Sequence, residues 1–90
     1  MMTHRTVTLT WRKMFEELFL EETGDSFETI TTTLTDEQLD KEFDAGYGGG
    51  EPFTAWSEKF VYFPACYDGA EWIAYVSRNP DGTPTVHVGG

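Results

Sequence analysis

The chain is predicted to fold as an α+β domain in which two N-terminal helices pack on a three-stranded antiparallel β-meander. Apolar residues recur at helical spacing from Trp11 to Phe19, and a helix-capping signature begins at Thr35. Two aromatic-rich, alternating runs then flank an Asp68-Gly69 turn. Ninety residues suffice for one domain, 1–90, and an aromatic content of 16% gives its small core large rings to bury.

The first helix is predicted from Trp11 to about Glu22 or Thr23. Before it, Val7 and Leu9 alternate with threonines, which favours a short strand or an extended lead-in. The period then changes to i, i+3, i+4, i+7, i+8, and Gly24 supplies the stop. The apolar stripe consists of Trp11, Met14, Phe15, Leu18 and Phe19.

The second helix has the clearest local signal in the chain. Thr35 is the N-cap of a capping box closed by Gln38, and Leu34 and Leu39 have the spacing of a hydrophobic staple. The helix is predicted from Asp36 to about Asp44, with Gly46 as its end and Leu39 and Phe43 as its buried stripe. The Thr- and Ile-rich run before it, Phe27 to Leu34, favours a strand by propensity.

The second half of the chain is predicted to form the sheet. A glycine-rich loop from Tyr47 to Pro52 leads to strands at Phe60–Tyr67 and Glu71–Arg78, joined at Asp68-Gly69. A second turn at 79–82 leads to a third strand at Thr85–Val88.

Charge is the feature that bears most on function. The 16 acids and 6 bases give a net charge of −10, a field that repels nucleic acid and anionic membranes and attracts basic surfaces. Twelve of the acids lie between Glu16 and Glu51, where Lys41 is the single base. On a helix, Asp36, Asp40 and Asp44 would form one column about 6 Å apart. Like charges at this spacing destabilise a helix, so the arrangement indicates a binding function; an ordinary solvated face is the alternative.

We therefore expect the acidic half of the chain to bind a basic groove of another protein, one that normally takes DNA or RNA. No direct contact with nucleic acid or membrane is expected. The candidate partner-binding residues are the carboxylates of Glu21, Glu22, Asp36, Glu37, Asp40 and Asp44, with Tyr47 and Trp56 as apolar anchors.

Catalysis and metal binding have little support in the sequence. His4 and His87 lie near opposite ends, and Cys66, in a predicted strand, is expected to be a core or partly buried residue without an adjacent base. A calcium-loop pattern fails because Ala45 stands where glycine is required and Pro52 interrupts the exiting helix. No catalytic residue, metal or cofactor is therefore predicted. The acids that match the calcium-loop pattern are Asp40, Glu42, Asp44 and Glu51.

A cytoplasmic location is expected. A single cysteine cannot form an internal disulfide, which favours a reducing compartment. Residues 1–9 lack the apolar core of a signal peptide, and no apolar run is long enough to span a bilayer.

In composition, the chain resembles the small acidic inhibitors of phages and mobile elements, including DNA-mimicking anti-restriction and anti-CRISPR proteins. The acid block from Glu16 to Glu51 and its aspartate column carry the resemblance. It implies a non-enzymatic inhibitor whose target is a basic nucleic-acid-binding protein, for example a CRISPR effector or a restriction component.

Two other functions remain open at this point. The ending Gly89-Gly90 resembles the tail of ubiquitin-like carriers, which implies activation of the terminal carboxylate, although the predicted N-terminal helix departs from that family's opening hairpin. Alternatively, surplus rings on the hairpin, such as Tyr67 and Trp72, would suit a structural or oligomerising module.

Overall fold

A computed structural model describes residues 8–44, 49–68, 70–79, 82 and 84–85, and the structural statements below concern these residues. The predicted α+β class is confirmed. In chain order the elements are β1 (Thr8–Leu9), α1 (Trp11–Leu18), a π-helical turn (Phe19–Thr23), β2 (Thr31–Thr32), α2 (Asp36–Asp40), β3 (Phe43–Asp44), β4 (Ala55–Trp56), β5 (Phe60–Tyr67) and β6 (Ala70–Ser77).

The main sheet is antiparallel and four-stranded, in the order β2-β4-β5-β6, and β1 pairs separately with β3. Its centre is the predicted hairpin, in which β5 and β6 pair from Phe60↔Ser77 to Tyr67↔Ala70. The other two strands are β4 and β2, so the sheet is not the predicted three-stranded meander. Thr85, where a third strand was expected to begin, lies outside the strands, and 86–88 fall beyond the described residues.

The first helix follows its predicted course. It begins at Trp11, where the Thr10 hydroxyl accepts a hydrogen bond from the Lys13 backbone N–H (3.2 Å). After Leu18 the backbone widens into the π-helical turn, whose last bond runs from the Gly24 N–H to the Phe19 carbonyl (2.8 Å). Gly24 has a φ of 74°, so the predicted glycine stop is confirmed.

The second helix begins as predicted but ends early. Both bonds of the capping box are present: the Gln38 N–H donates to the Thr35 hydroxyl (3.1 Å), and the Thr35 N–H donates to the Gln38 side-chain oxygen (2.9 Å). The predicted continuation to Asp44 is wrong, because α2 ends at Asp40 and Lys41 is extended.

The early end has a packing cause. The extended backbone lets β3 pair with β1 through Leu9↔Phe43 and brings the Phe43 ring to 4.7 Å from that of Trp11. Phe43 thus reaches the core from a strand, although its i+4 spacing from Leu39 suits a helix equally well.

The predicted strand from Phe27 to Leu34 is shortened to Thr31–Thr32. Local bonds hold the preceding residues in a turn: the Ser26 N–H donates to the Thr29 hydroxyl (2.9 Å), and the Ile30 N–H donates to the Ser26 carbonyl (3.1 Å). Such side-chain bonds compete with strand pairing, which is why β-propensity misleads here.

The core lies between α1 and the sheet. Trp11, Phe15 and Tyr62 are its fully buried large side chains. The ring of Phe15 lies 5.4 Å from Phe53 and 5.6 Å from Tyr62, so the core is largely aromatic. Rings remove much apolar area from water, which offsets the short length of the chain.

One end of the hairpin extends beyond the rest of the sheet. β4 pairs with β5 only at Val61 and Tyr62, so the part of β5 from Phe63 onward is bonded to β6 alone. This part contains Pro64, and it also contains Cys66, whose side chain is exposed. The expectation that Cys66 is a core or partly buried residue is therefore wrong, and the next residue toward the turn, Tyr67, is exposed as well.

Candidate protein-binding surface

The predicted column of three aspartates does not exist as one feature. Asp36 and Asp40 lie one turn apart on α2, but Asp44 lies in β3, opposite Thr8 of β1. The column depended on a helix that continued to Asp44, and that helix ends at Asp40.

The two aspartates that remain together are paired with a base from α1. Arg12 Nε donates to Asp40 Oδ1 at 2.6 Å, and Arg12 Nη2 lies 3.3 Å from Asp36 Oδ1. The hydrogen bond to Asp40 raises the pKa of Arg12 above its ordinary value, against the opposing effect of burial. The guanidinium also lies over the Phe27 ring, 5.2 Å from its centroid. The single charge of Arg12 is therefore shared between two aspartates, and the negative charge on this face is only partly compensated.

Sequence reasoning missed this pairing because Arg12 lies just before the acidic block. It is 24 residues from Asp36 and 28 from Asp40, and the contact arises only when α1 and α2 pack together. The one local sign is the place of Arg12 on the polar side of the α1 stripe.

Two glutamates without a bonded partner lie on the opposite flank of α1. At 100° per residue, Arg12 and Met14 fall on opposite sides of the buried stripe, and Glu17 and Glu21 follow Met14. Both glutamates are exposed and have no hydrogen-bond or salt-bridge partner among the described residues.

Glu22 lies at the same flank and is tied to the sheet. Its carboxylate accepts a hydrogen bond from the Tyr75 hydroxyl (2.9 Å), an interaction that, together with burial, raises the pKa of Tyr75. Glu21 and Glu22, both predicted as binding residues, are therefore neighbours of β6.

Between this flank and β6 runs a depression that we call the α1–β6 groove. It has an apolar floor and carboxylates beside it, and it comprises two neighbouring cavities, one of about 250 Å³ and one of about 410 Å³ further along β6. The two cavities share Leu18, Glu22, Trp72 and Ile73. The first cavity is also lined by Leu9, Met14, Glu17 and Glu21, and the second cavity is also lined by Ala74, Tyr75 and Thr85.

The other predicted binding residues lie elsewhere. Glu37 is exposed in the first turn of α2, directly after Asp36, one of the two aspartates that pair with Arg12. Trp56 is half-buried in β4, between Thr31 and Val61. Tyr47 lies outside the described residues, as does the Gly89-Gly90 ending. The structure thus gathers five of the six predicted acids into two groups, Asp36, Glu37 and Asp40 on α2 and Glu21 and Glu22 beside the groove, and places the sixth, Asp44, in β3.

A polar cluster under the π-helical turn was not predicted. Tyr62 donates its phenolic proton to Asp25 Oδ2 (2.5 Å), and the Thr23 hydroxyl lies 2.8 Å from the same phenolic oxygen. Burial raises the pKa of Asp25, but hydrogen bonds from Tyr62, Ser57 and Thr29 outweigh it, so the pKa is lowered. Burial and the Asp25 contact raise the pKa of Tyr62. The cluster joins the end of the first helix to the middle of the sheet.

Other site types find no support in the part of the chain that the structure describes. There, no three His, Cys, Asp or Glu side chains are grouped to hold a metal ion, and no helix has both the length and the apolarity to cross a bilayer. Comparisons of the chain with protein families, with curated proteins and with solved structures find no match.

Proposed function

We propose that the protein is a non-enzymatic inhibitor, of the kind phages and mobile elements encode, that blocks a basic nucleic-acid-binding site on a target protein. The observation that carries this proposal is the exposed flank of α1. In a chain of net charge −10, Glu17 and Glu21 have no hydrogen-bond or salt-bridge partner there among the described residues, whereas on the opposite flank Arg12 pairs with Asp36 and Asp40.

The inhibition follows from simple electrostatics. Residues one turn apart on a helix, such as Glu17 and Glu21, are about 6 Å apart along its axis. This flank therefore presents closely spaced negative charges to a basic groove of the target, as nucleic acid does. Attraction between opposite fields raises the association rate. The basic groove of the target cannot hold the acidic inhibitor and nucleic acid at the same time. The bound inhibitor therefore excludes nucleic acid. Action in the cytoplasm agrees with the free thiol of Cys66.

The test begins with capture of the target on the full-length chain from nuclease-treated lysate. The captured protein is then purified and titrated with labelled nucleic acid at increasing amounts of the chain. We expect displacement of the nucleic acid, and we expect it to weaken between about 0.05 and about 0.5 M salt, because the screening length of exposed charges falls from roughly 14 Å to roughly 4 Å over that range.

Matched variants locate the surface. Glu17→Gln/Glu21→Gln is expected to weaken displacement, and Glu28→Gln/Glu42→Gln, which changes the net charge equally at other exposed positions, is expected to leave it nearly unchanged. A target that keeps its nucleic acid at saturating amounts of the wild-type chain would rule out the proposed function.

A further inference from the structure

β6 has a long edge that no described strand covers. It lies at the end of the order β2-β4-β5-β6, and its eight residues, Ala70–Ser77, are paired with β5 on one side. Such an edge presents a row of backbone N–H and C=O groups to which another extended chain can bind.

The α1–β6 groove follows this edge. Trp72, Ile73, Ala74 and Tyr75 all line it. Successive side chains of a strand point to opposite faces, so four consecutive residues can border one groove only where it runs along the strand's edge. They offer an incoming strand about 13 Å of backbone, at roughly 3.3 Å per residue.

The chemistry of the groove selects the occupant. Its floor near α1 is apolar, with Met14 and Leu18, and its described lining includes three glutamates but no Lys or Arg. A complementary segment is extended and carries basic side chains on either side of an apolar one, all on the face that looks toward α1. Residues two apart on a strand share a face, so alternate positions supply this pattern.

We propose that an extended Lys- or Arg-rich segment of the target protein adds to the free edge of β6 and sets its basic side chains against Glu17, Glu21 and Glu22. The inference rests on the proposed function and names the part of the target that is bound. Backbone pairing supplies affinity, and the glutamates select a basic sequence.

The probe is a synthetic seven-residue peptide with lysine at the second and sixth positions, valine at the fourth and threonine elsewhere. It is titrated at low salt into the full-length ¹⁵N-labelled chain. We expect shift changes confined to α1 and β6, slowed amide exchange at alternate residues of β6, and weaker binding as salt rises.

Two N-methylated peptides test the strand pairing itself. One is methylated at the odd-numbered amides and the other at the even-numbered amides. In a strand only one of these sets faces the neighbouring edge, so one peptide should lose binding and the other should keep it. Equal affinity of the two would overturn strand addition.

Protein variants test the charge selection. We expect Glu17→Gln/Glu21→Gln to weaken peptide binding about 4- to 25-fold, at two- to fivefold per exposed pair, and Glu28→Gln/Glu42→Gln to change it less than about twofold. An equal loss in both variants would overturn the groove as the site.

Other occupants give distinct and contrary results. A dimer in sedimentation experiments that the peptide dissolves would assign the groove to a second copy. Peptide binding only after deletion of residues 86–90 would assign the groove to the chain's own C-terminal segment.

Two outcomes separate this inference from the proposed function. If the chain displaces nucleic acid from its target but does not bind the peptide, the proposed function stands and the groove is not the binding site. If the chain binds the peptide at β6 but does not displace nucleic acid, the groove stands as a binding site and the proposed function is wrong.

Discussion

Replacement of Tyr62 by phenylalanine isolates the hydrogen bond that joins the first helix to the sheet. The ring of Tyr62 keeps its contacts with Phe15 and Phe19, while the hydroxyl 2.5 Å from Asp25 Oδ2 is lost. Hydrogen bonds to charged groups contribute about 1.5–3 kcal/mol, and this one is donated by a fully buried side chain. We expect Tyr62→Phe to lower the free energy of unfolding by about 2 kcal/mol.

Thermal and urea unfolding near neutral pH measure this loss. In a domain of this size, about 2 kcal/mol corresponds to a fall in Tm of roughly 8–16 °C. Tyr75→Phe is the matched control, because it deletes a hydroxyl bonded to the exposed carboxylate of Glu22. Its expected cost is about 0.5 kcal/mol, at the low end for a net hydrogen bond.

The pH dependence provides an independent check. The folded-state pKa of Asp25 is lowered from its ordinary 3.8, so its contribution is present above that pH and is lost as the pH falls through the folded value. The difference between wild type and Tyr62→Phe should therefore shrink below about pH 4. The pKa of Tyr62 is raised from 10.0, so its contribution is full below pH 10 and is lost at more alkaline pH.

Two results would refute this reasoning. One is a Tyr62→Phe protein as stable as the Tyr75→Phe control near neutral pH. The other is a stability difference that persists unchanged after Asp25 has been titrated with acid.

Three further predictions concern other contacts. Gly50→Ala should lower the free energy of unfolding by about 1–3 kcal/mol in urea titrations, because a Cβ there would lie 2.5 Å from Cζ2 of Trp11. Arg12→Gln should lower it by up to about 1 kcal/mol at low salt and by less at about 1 M salt, since its pairing with Asp36 and Asp40 is largely exposed. Cys66 should react fully with a thiol reagent in the native protein, because its side chain is exposed.

Each of these predictions has its own contrary outcome. If Gly50→Ala costs as much in a Trp11→Phe background, the clash with the indole is not the cause. If the effect of Arg12→Gln is independent of salt, packing over Phe27 outweighs the ion pairs. If the thiol becomes reactive only in denaturant, the end of the hairpin is covered.

Local signals in the sequence predicted local structure well. The stripe from Trp11 to Phe19, the glycine stop at Gly24 and the capping box at Thr35 all act within a few residues, and each is confirmed. The hairpin around Asp68 is likewise confirmed, because the turn and the two alternating runs specify one another.

What the sequence could not predict depends on contacts between distant residues. The end of α2 at Asp40 is set by the strand pairing of Phe43 with Leu9. No local sequence pattern predicts this pairing, because the two residues are far apart in the chain. Arg12 reaches Asp36 and Asp40 only through helix packing, so the acidic column could not be recognised as partly neutralised. Glu21 and Glu22 were predicted as binding residues, but the groove beside them forms only when α1 lies against β6.

The two sides of the sheet differ in a way that bears on assembly. At the β2 side, the outer strand has only two residues, and the uncovered part of β5 contains Pro64, which has no N–H to donate. β6 alone offers eight residues in a row. Filaments grow when every subunit presents two matching edges, and among the described strands only β6 presents a long one. A strand that docks on β6 would therefore occupy the one long edge among the described strands, and would leave no second long edge there through which this chain could join another copy.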